Sequence, residues 1–245
     1  MRIGKALSLK EKTVGNWLYN NGIPNGKESN THKPNLEPSS ALSYVIGAVF
    51  GDGFCYSNGR GKCICLTVKD HDFADEFNRN ICKILNKKHL YKIYKRKDGR
   101  FAVRATSKNL FRFLKQGLER LKPTIEKHPS HFIRGLADAE ACIHKHAHWQ
   151  AFAMVNTDLA LLIYAKKLLI EKFKIPSKIS KMKNYDISRR KDTYRLTFYS
   201  YVNMERFYQY VGFSIKRKQA KLAEVVEAYD AYQKRRASKS PLKKQ

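Results

Sequence analysis

Acidic residues and long apolar runs are scarce in this sequence. Only 21 of the 245 residues are Asp or Glu, against 49 Lys and Arg, so the formal net charge is +28. Such a field concentrates polyanions rather than small neutral metabolites, and nucleic acid is the leading partner class. No segment approaches the run of about eighteen apolar residues that a membrane span needs. Met1–Pro24 lacks the apolar core of a signal peptide. We therefore expect no membrane partner, and a location in a prokaryotic cytoplasm, at the nucleoid, or in an organelle.

Paired cysteine motifs are also missing. The five cysteines never form the Cys-x-x-Cys pairs of zinc ribbons. An odd number of cysteines without a secretion signal argues against a disulfide framework. We expect buried, reduced thiols at Cys55, Cys63, Cys65, Cys82 and Cys142.

One layout of elements occurs twice in the chain. The first copy starts near Ser43 and the second near His131, and each runs helix, two strands, helix, two strands, helix. Helices and strands of this length can bury only one face against each other. The sequence therefore predicts an α+β fold with two pseudo-symmetric half-domains, at 41–121 and 130–215, joined by a linker at 122–129. Each half-domain is expected to be a four-stranded antiparallel sheet with helices on one face.

Two segments flank the repeat. Residues 1–40 hold a helix-turn-helix-like pattern followed by a polar linker, Asn25–Ser39. Residues 216–245 predict a basic helix over Lys216–Tyr232 and a cationic tail over Lys234–Gln245.

The uncovered face of each predicted sheet would carry basic side chains interleaved with tyrosines. Such side chains can reach phosphates and base edges, whereas an ordinary solvated surface is the alternative for any single residue. The candidate DNA-binding residues are Lys62, Lys92, Tyr94, Arg96, Arg100, Arg104, Lys145, Lys181 and Arg195. Other residues expected on these open faces are Lys69, Tyr91, Tyr194 and Tyr199.

Small residues four positions apart mark the first helix of each copy. They are Gly47 and Gly51 in the first copy, and Gly135 and Ala139 in the second. Small residues at this spacing let two helix backbones approach closely, so the two helices are expected to form the seam between the half-domains. Each helix leads directly into a carboxylate, Asp52 or Glu140. An approximate two-fold axis along the seam would bring these two acids together.

Two carboxylates at the negative ends of two helix dipoles need a cation. Mg²⁺ suits a site of a few carboxylate or carbonyl oxygens, and the backbone carbonyls of Gly51 and Ala139 are further candidate ligands. A pair of such ions would activate water for phosphodiester hydrolysis. A merely helix-terminal acid is the alternative for an isolated Asp-Gly, but the repeat favours the metal site. Asp138 has no acidic counterpart in the first copy and is expected to be structural or surface-facing.

These residues resemble the LAGLIDADG homing endonucleases in their single-chain form with two motif copies. Val45–Gly53 and Ile133–Ala141 occupy the nine motif positions, 88 residues apart (135 minus 47), and the resemblance covers about Ser43–Val211. In this family the eighth position is the metal-binding acid. The resemblance implies a monomer whose two sheets form a saddle on a long, loosely palindromic DNA duplex. It implies cleavage of both strands across the minor groove, with short 3′ overhangs. Mg²⁺ is the expected cofactor; Mn²⁺ is expected to substitute, and Ca²⁺ to support binding without cleavage.

The resemblance also implies catalytic polar groups where the second strand of each half ends. The matching positions are Lys69, 17 residues after Asp52, and Asn156, 16 residues after Glu140. The second copy departs from the family at Ala141, which replaces Gly. The basic residue expected soon after the second acid is supplied only by Lys145 or His144.

Several alternatives stay open at the level of sequence. An intron maturase or another RNA-binding protein could use the same scaffold, and a transcription regulator could use the helix-turn-helix-like start. His144, His146 and His148 alternate and could hold a transition metal, or contact DNA or solvent. Trp17 and Trp149 could stack on bases or pack in the core. Lys234–Arg236 is expected to be a solvated, phosphate-attracting segment.

Overall fold

The computed structural model describes residues 33–58, 61–145, 149–182 and 192–239. Several sequence predictions lie outside these ranges, namely those for the helix-turn-helix-like segment, Trp17, His146, His148 and the tail beyond residue 239. Of Lys234–Arg236 only the helical backbone is described. The described residues from Pro34 onward form one compact unit.

Two successive sets of helices and strands make up this unit. The first set is α1 (Ser40–Phe50), β1 (Gly53–Asn58), β2 (Gly61–Val68), α2 (His71–Ile84), β3 (Tyr94–Lys95), β4 (Phe101–Thr106) and α3 (Lys108–Leu114). Helix α4 (Leu118–Lys127) follows. The second set is α5 (Pro129–Glu140), β5 (Ala141–Lys145), β6 (Gln150–Asn156), α6 (Leu159–Phe173), β7 (Lys178–Lys181), β8 (Tyr194–Phe198) and α7 (Tyr201–Tyr210), and helix α8 (Lys216–Lys239) ends the described chain.

The two sheets share one topology. Their strand orders are β1-β2-β4-β3 and β5-β6-β8-β7, and all neighbouring strands are antiparallel. The registers also correspond, since Gly53 pairs with Leu66 in the first sheet and Ala141 with Met154 in the second. The predicted α+β fold of two four-stranded antiparallel sheets with helices is therefore confirmed.

Side-chain alternation separates a helix-covered face from an open face in each sheet. In β2, Ile64 and Leu66 belong to the core, whereas Cys63 and Cys65 point to the other side. Lys62 alternates with Cys63, and its ammonium lies 5.2 Å from the ring centroid of Phe111 in α3. The expectation that Lys62 lies on the open face is therefore wrong, because the register places it on the helix-covered side.

Three further expectations differ from the structure. Tyr91 and Tyr194 are expected on the open faces of the sheets, but their side chains pack against the core. Cys142 is exposed, whereas Cys63, Cys65 and Cys82 are buried as expected and Cys55 is half-buried; all five thiols are free. The segment predicted as a linker, 122–129, is helical over most of its length, because α4 continues to Lys127 and α5 starts at Pro129.

The core runs through both halves without a break. Every residue of α1 from Ala41 to Ala48 is buried, because α5 covers one side of this helix and α2 another. Helix α2 is amphipathic and contributes Phe73, Phe77 and Ile81 to the core. No helix in the described ranges is long and apolar enough to cross a membrane.

Helix α8 packs on the second half. It lies against α7 and beside β5, an edge strand of the second sheet. The rings of Tyr201 and Tyr229 stack with centroids 4.6 Å apart. Lys145 at the end of β5 forms an ion pair of 2.9 Å with Glu224.

Candidate functional site

The seam between the halves is a close contact of α1 and α5. A Cβ built on Gly47 would collide with the carbonyl oxygen of Phe132, and a Cβ on Gly135 with that of Tyr44. The two collisions are reciprocal, since Tyr44 and Phe132 occupy equivalent positions three residues before the two glycines. The helix packing predicted from the small residues is therefore confirmed.

The two motif acids lie together at the ends of these helices. Asp52 follows the C-cap Gly51, and Glu140 is the last residue of α5. A Cβ on Gly51 would collide with the Cβ of Ala139 and lie 3.3 Å from the Cγ of Glu140. The small residues thus let the helix ends meet, and Asp52 acts electrostatically on Glu140.

Both carboxylates carry a raised pKa. Desolvation is the main cause at each acid. The negative charge of Asp52 adds to it at Glu140, whose pKa rises to about 7. The Lys218 ammonium on α8 opposes both shifts. Without a metal, the negative charge of this pair is therefore costly, which is the electrostatic condition under which a divalent cation binds favourably.

The donor set suits a hard cation that keeps part of its water shell. No cluster of three or more His, Cys, Asp or Glu side chains in the described ranges could hold a metal on its own. Mg²⁺ needs no such cage, since one or two carboxylates with water and substrate phosphate are its usual ligands. Asp52 and Glu140, with backbone carbonyls nearby, fit that requirement.

A separate cavity opens beside each acid. The cavity next to Asp52 has a volume of about 290 Å³, and Thr67, Lys69, Asp70, Arg100, Arg217 and Lys218 also line it. The cavity next to Glu140 has a volume of about 420 Å³ and is also lined by Phe50, Gly51, Val155, Asn156, Thr157 and Thr193. The structure thus places Lys69 with Asp52 and Asn156 with Glu140.

Asn156 is fixed in place by two hydrogen bonds. Its Nδ2 donates to Glu140 Oε1 at 2.8 Å, and its Oδ1 accepts from the backbone N–H of Asp158 at 2.8 Å. Lys69 differs, because it follows the last residue of β2 and its side chain is exposed. The Glu140 carboxylate is therefore held by a neutral partner, whereas an exposed cation lines the cavity beside Asp52.

Asp138 is buried in the seam rather than on the surface. It accepts hydrogen bonds from the Tyr44 hydroxyl at 2.8 Å, the Ser214 N–H at 3.0 Å and the Ser214 hydroxyl at 2.5 Å. Burial raises its pKa to about 6. Of the two expectations for this residue, the structure selects the structural one.

Two residues on α8 that sequence reasoning left out of the site belong to it. Arg217 and Lys218 line the cavity beside Asp52, although the sequence places them 165 and 166 residues after it (217 minus 52 and 218 minus 52). The local sequence signal is only a run of basic residues at a helix start. Nothing in that run distinguishes the buried Lys218 from its exposed neighbours.

The other candidate DNA-binding residues are mostly exposed. Lys92, Tyr94 and Arg104 lie together on the open face of the first sheet: Arg104 donates to Cys63 Sγ at 3.2 Å, and the Lys92 ammonium lies 5.5 Å from the Tyr94 ring centroid. Arg96 and Arg100 both pair with Asp98 in the β3–β4 turn. Exposed candidates in the second half are Lys145, paired with Glu224, Lys181, paired with Asp192, and Arg195. Lys145 and Lys181 alternate with their neighbours onto the same side as the core residue Ile143 and the core-packed Ile179, so the expectation that they lie on the open face is wrong; Arg195 points to the open face.

The exposed part of β5 brings a thiol and an imidazole together. Cys142 Sγ lies 3.1 Å from His144 Nε2, and the His144 ring lies 6.3 Å from that of Trp149. The transition-metal hypothesis for the three alternating histidines stays a prediction, because His146 and His148 lie outside the described residues.

Comparison with known proteins gives one family match and two relatives. A family model described as a LAGLIDADG-like domain matches residues 127–212. Uncharacterized protein MJ0398 of Methanocaldococcus jannaschii is 32% identical over 244 residues, which cover 95% of this chain and 87% of that protein. Uncharacterized protein MJ0314 of the same organism is 36% identical over 108 residues, or 40% of each chain.

Solved structures share the fold. The structure of I-DmoI in complex with DNA and Ca is 22% identical and covers 77% of this chain and all of that one, with a TM-score of 0.56. A structure of mesophilic variants of the homing endonuclease I-DmoI is 21% identical. The match covers 70% of this chain and 95% of that one, with a TM-score of 0.54. Full-length DUF199/WhiA from Thermatoga maritima is 17% identical. The match covers 80% of this chain and 62% of that one, also with a TM-score of 0.54.

Proposed function

The chain belongs to the LAGLIDADG family, and from this premise we propose that it is a site-specific homing endonuclease. The proposed reaction is divalent-metal-dependent phosphodiester hydrolysis that makes a staggered double-strand break in DNA. The observation that carries the proposal is the meeting of Asp52 and Glu140 at the ends of two closely packed helices. A scaffold that only binds nucleic acid has no need for two such acids, whose unmetallated charges oppose each other.

Asp52 and Glu140 would hold Mg²⁺, with the backbone carbonyls of Gly51 and Ala139 as additional ligands. Such an ion, when bound, activates water and stabilises the leaving oxygen of a phosphodiester. Asn156 orients the Glu140 carboxylate through its 2.8 Å hydrogen bond. Lys69 would meet a DNA phosphate in the cavity beside Asp52.

DNA would lie against the open faces of the two sheets. The net charge of +28 supplies attraction for phosphates that does not depend on sequence. Exposed open-face residues such as Tyr94, Arg104 and Arg195 are the proposed contacts to the duplex. Structures of I-DmoI contain DNA with Ca and DNA with Mn, which supports a DNA partner and divalent-cation use in this chain. The two halves differ in sequence, so a monomer would bind a long target that is only loosely palindromic.

Conservative substitution of either acid tests the proposal. A cleavable target is first recovered from a randomised DNA library in Mg²⁺. Asp52→Asn and Glu140→Gln should then bind this target in Ca²⁺ with the wild-type affinity and lose Mg²⁺-dependent double-strand cleavage. Wild-type cleavage rates in both variants would refute the assignment of the acids.

Nucleic-acid binding without cleavage is the second candidate. The match to WhiA has the same TM-score as the match to I-DmoI variants, so the fold does not by itself decide the activity. An intron maturase or another RNA-binding protein would use the same basic faces. Cleavage of an intronless target, measured beside splicing of a candidate host intron, separates this candidate from the nuclease. A regulator that depends on its N-terminal segment would instead lose specific binding when residues 1–38 are deleted.

A further inference from the structure

The first turn of α8 connects the two halves of the molecule. On the first half, Asp72 Oδ2 accepts from the backbone N–H of Lys216 at 2.6 Å, and Asp70 accepts two bonds from the Arg217 guanidinium at 2.6 and 2.8 Å. Asp70 and Asp72 stand at the start of α2. The next residue, Lys218, turns away from α2 and into the second half.

Lys218 is buried, with only 8% of its surface exposed. Its ammonium donates to the carbonyl oxygens of Ala137 at 3.1 Å and Asp138 at 2.6 Å. Both oxygens belong to the last turn of α5, where the Ala137 oxygen also accepts from the backbone N–H of the C-cap residue Ala141. A buried ammonium is costly without such acceptors, so both the lysine and the helix end depend on this contact.

The residues directly after these carbonyls are Ala139 and Glu140, which are proposed metal ligands. We infer that Lys218 is a positioning residue, which fixes the last turn of α5 and thereby the Glu140 carboxylate and the Ala139 carbonyl. This inference rests on the proposed endonuclease function. Lys218 itself reaches neither substrate nor metal, and acts through the backbone of α5.

The positive charge that acts on Glu140 comes from outside its motif copy. No Lys or Arg is among the described residues that line the cavity beside Glu140. The positive charge of Lys218 nevertheless acts on Glu140 and lowers its pKa against the effect of burial. A cationic contribution at Glu140 thus comes from α8.

Amide hydrogen exchange of the metal-free protein gives a readout that does not depend on cleavage. In Lys218→Met, exchange at residues 137–141 should become about tenfold faster, because a charged hydrogen-bond donor to this turn is lost. Lys221→Met is the matched control, since Lys221 is an exposed lysine on the same helix. The Lys221→Met variant should exchange at residues 137–141 like the wild type. Lys218→Arg should restore most of the protection of these residues against exchange.

Cleavage kinetics supply the second readout. Lys218→Met should cut the recovered target at saturating Mg²⁺ on the order of 100-fold more slowly, because small displacements of catalytic groups have effects of this size. Its affinity for the same DNA in Ca²⁺ should stay within about twofold of the wild type, since Lys218 is buried away from the open faces. Lys218→Arg should recover much of the rate, and Lys221→Met should keep all of it.

The outcomes separate this inference from the proposed function. A wild-type protein that cuts no DNA contradicts the proposed function, while the exchange experiment still reports on α5. A wild type that cuts, with unchanged exchange and rate in Lys218→Met, overturns the positioning role. Should Lys218→Met fail to melt cooperatively, Lys218→Gln replaces it. The Gln side chain is neutral and one atom shorter than that of Lys, so it does not supply the ammonium to the two carbonyls, and wild-type exchange and rate in that variant would likewise overturn the role.

Discussion

Asp52 and Glu140 occupy equivalent motif positions but differ in their surroundings. Asp52 lies directly before β1 and is the more exposed of the two acids, whereas Glu140 is half-buried and bound to Asn156. Glu140 therefore has both a desolvated carboxylate and a negative neighbour, which together raise its pKa to about 7. In the metal-free protein, Glu140 is the acid whose ionisation costs more.

Removing the negative charge of Glu140 should stabilise the metal-free protein at alkaline pH. The pKa of Glu140 rises from 4.5 to about 7 on folding. Between these pH values the folded state binds more protons than the unfolded state, so the free energy of unfolding falls as pH rises through this window. In EDTA, Glu140→Gln should be more stable than the wild type at pH 8 by about 1 to 2 kcal/mol, after discounting for solvent screening.

Chemical denaturation at pH 5 and pH 8 measures this difference. The gain should shrink at pH 5, where wild-type Glu140 already holds its proton, and added Mg²⁺ should reverse it by stabilising only the wild type. Glu227→Gln, at an exposed position on α8, serves as the control and should show neither effect. An equal gain at both pH values would show that the Glu140 charge is not its source.

The positions of the two acids could be predicted from the sequence, but the partners of Asp138 could not. The two acids occupy the same position in a nine-residue motif that occurs twice in the sequence. The partners of Asp138, Tyr44 and Ser214, lie 94 and 76 positions away in the chain. An acid between the small residues Ala137 and Ala139 of the seam helix indicates that a partner exists, but only the folded chain shows which one.

The α1–α5 pair depends on glycine where the two backbones touch. A Cβ on Gly47 would meet the backbone carbonyl of Phe132, which cannot move as a flexible side chain would. We expect Gly47→Ala to reduce the free energy of unfolding by about 3 kcal/mol, since overpacking in a core has costs of this size. Gly135→Ala should behave alike, because its Cβ would meet Tyr44 in the same way.

Urea denaturation of the metal-free protein checks this prediction. Ala228→Gly, at an exposed position in the interior of α8, is the control and should cost only the difference in helix propensity, about 1 kcal/mol. A loss no larger than that in either seam variant would mean that the helices can separate without penalty.

Strand β3 shows why some element boundaries could not be predicted. The sequence pattern predicts a strand over His89–Lys95, but only Tyr94–Lys95 pairs with β4. The side chain of Asn78 on α2 satisfies the backbone of Tyr91 instead, accepting from its N–H at 3.0 Å and donating to its carbonyl at 2.7 Å. A long-range side-chain contact thus replaces the ladder that local alternation predicts.

The two halves share one architecture, but the cavities beside Asp52 and Glu140 differ in volume and in the residues that line them. Periodicity and motif spacing predict the two-fold arrangement of sheets and helices, because both copies carry the same pattern. They do not predict that α8 adds Arg217 and Lys218 beside Asp52 only, because α8 occurs once and lies outside the repeat. The cavity beside Asp52 is therefore lined by three exposed cationic residues, Lys69, Arg100 and Arg217, whereas the cavity beside Glu140 offers neutral polar groups.

This asymmetry should make the two strand cuts unequal in rate. Positive groups at a reacting phosphate stabilise the transition state, so the strand beside Asp52 should be cut first and nicked DNA should accumulate. Lys69→Ala should slow that first cut roughly 100-fold, the size expected for loss of one such group. Asn156→Ala should slow mainly the second cut, because Asn156 holds the carboxylate on the other side.

A duplex labelled differently on each strand resolves the two cuts in one reaction. Lys167→Ala removes an exposed lysine from α6 and controls for the loss of one positive charge, so both of its rates should match the wild type. Equal rates for the two strands in the wild-type protein would contradict the argument. So would a Lys69→Ala variant that slows both cuts alike, because the two cavities would then act as one site despite their different linings.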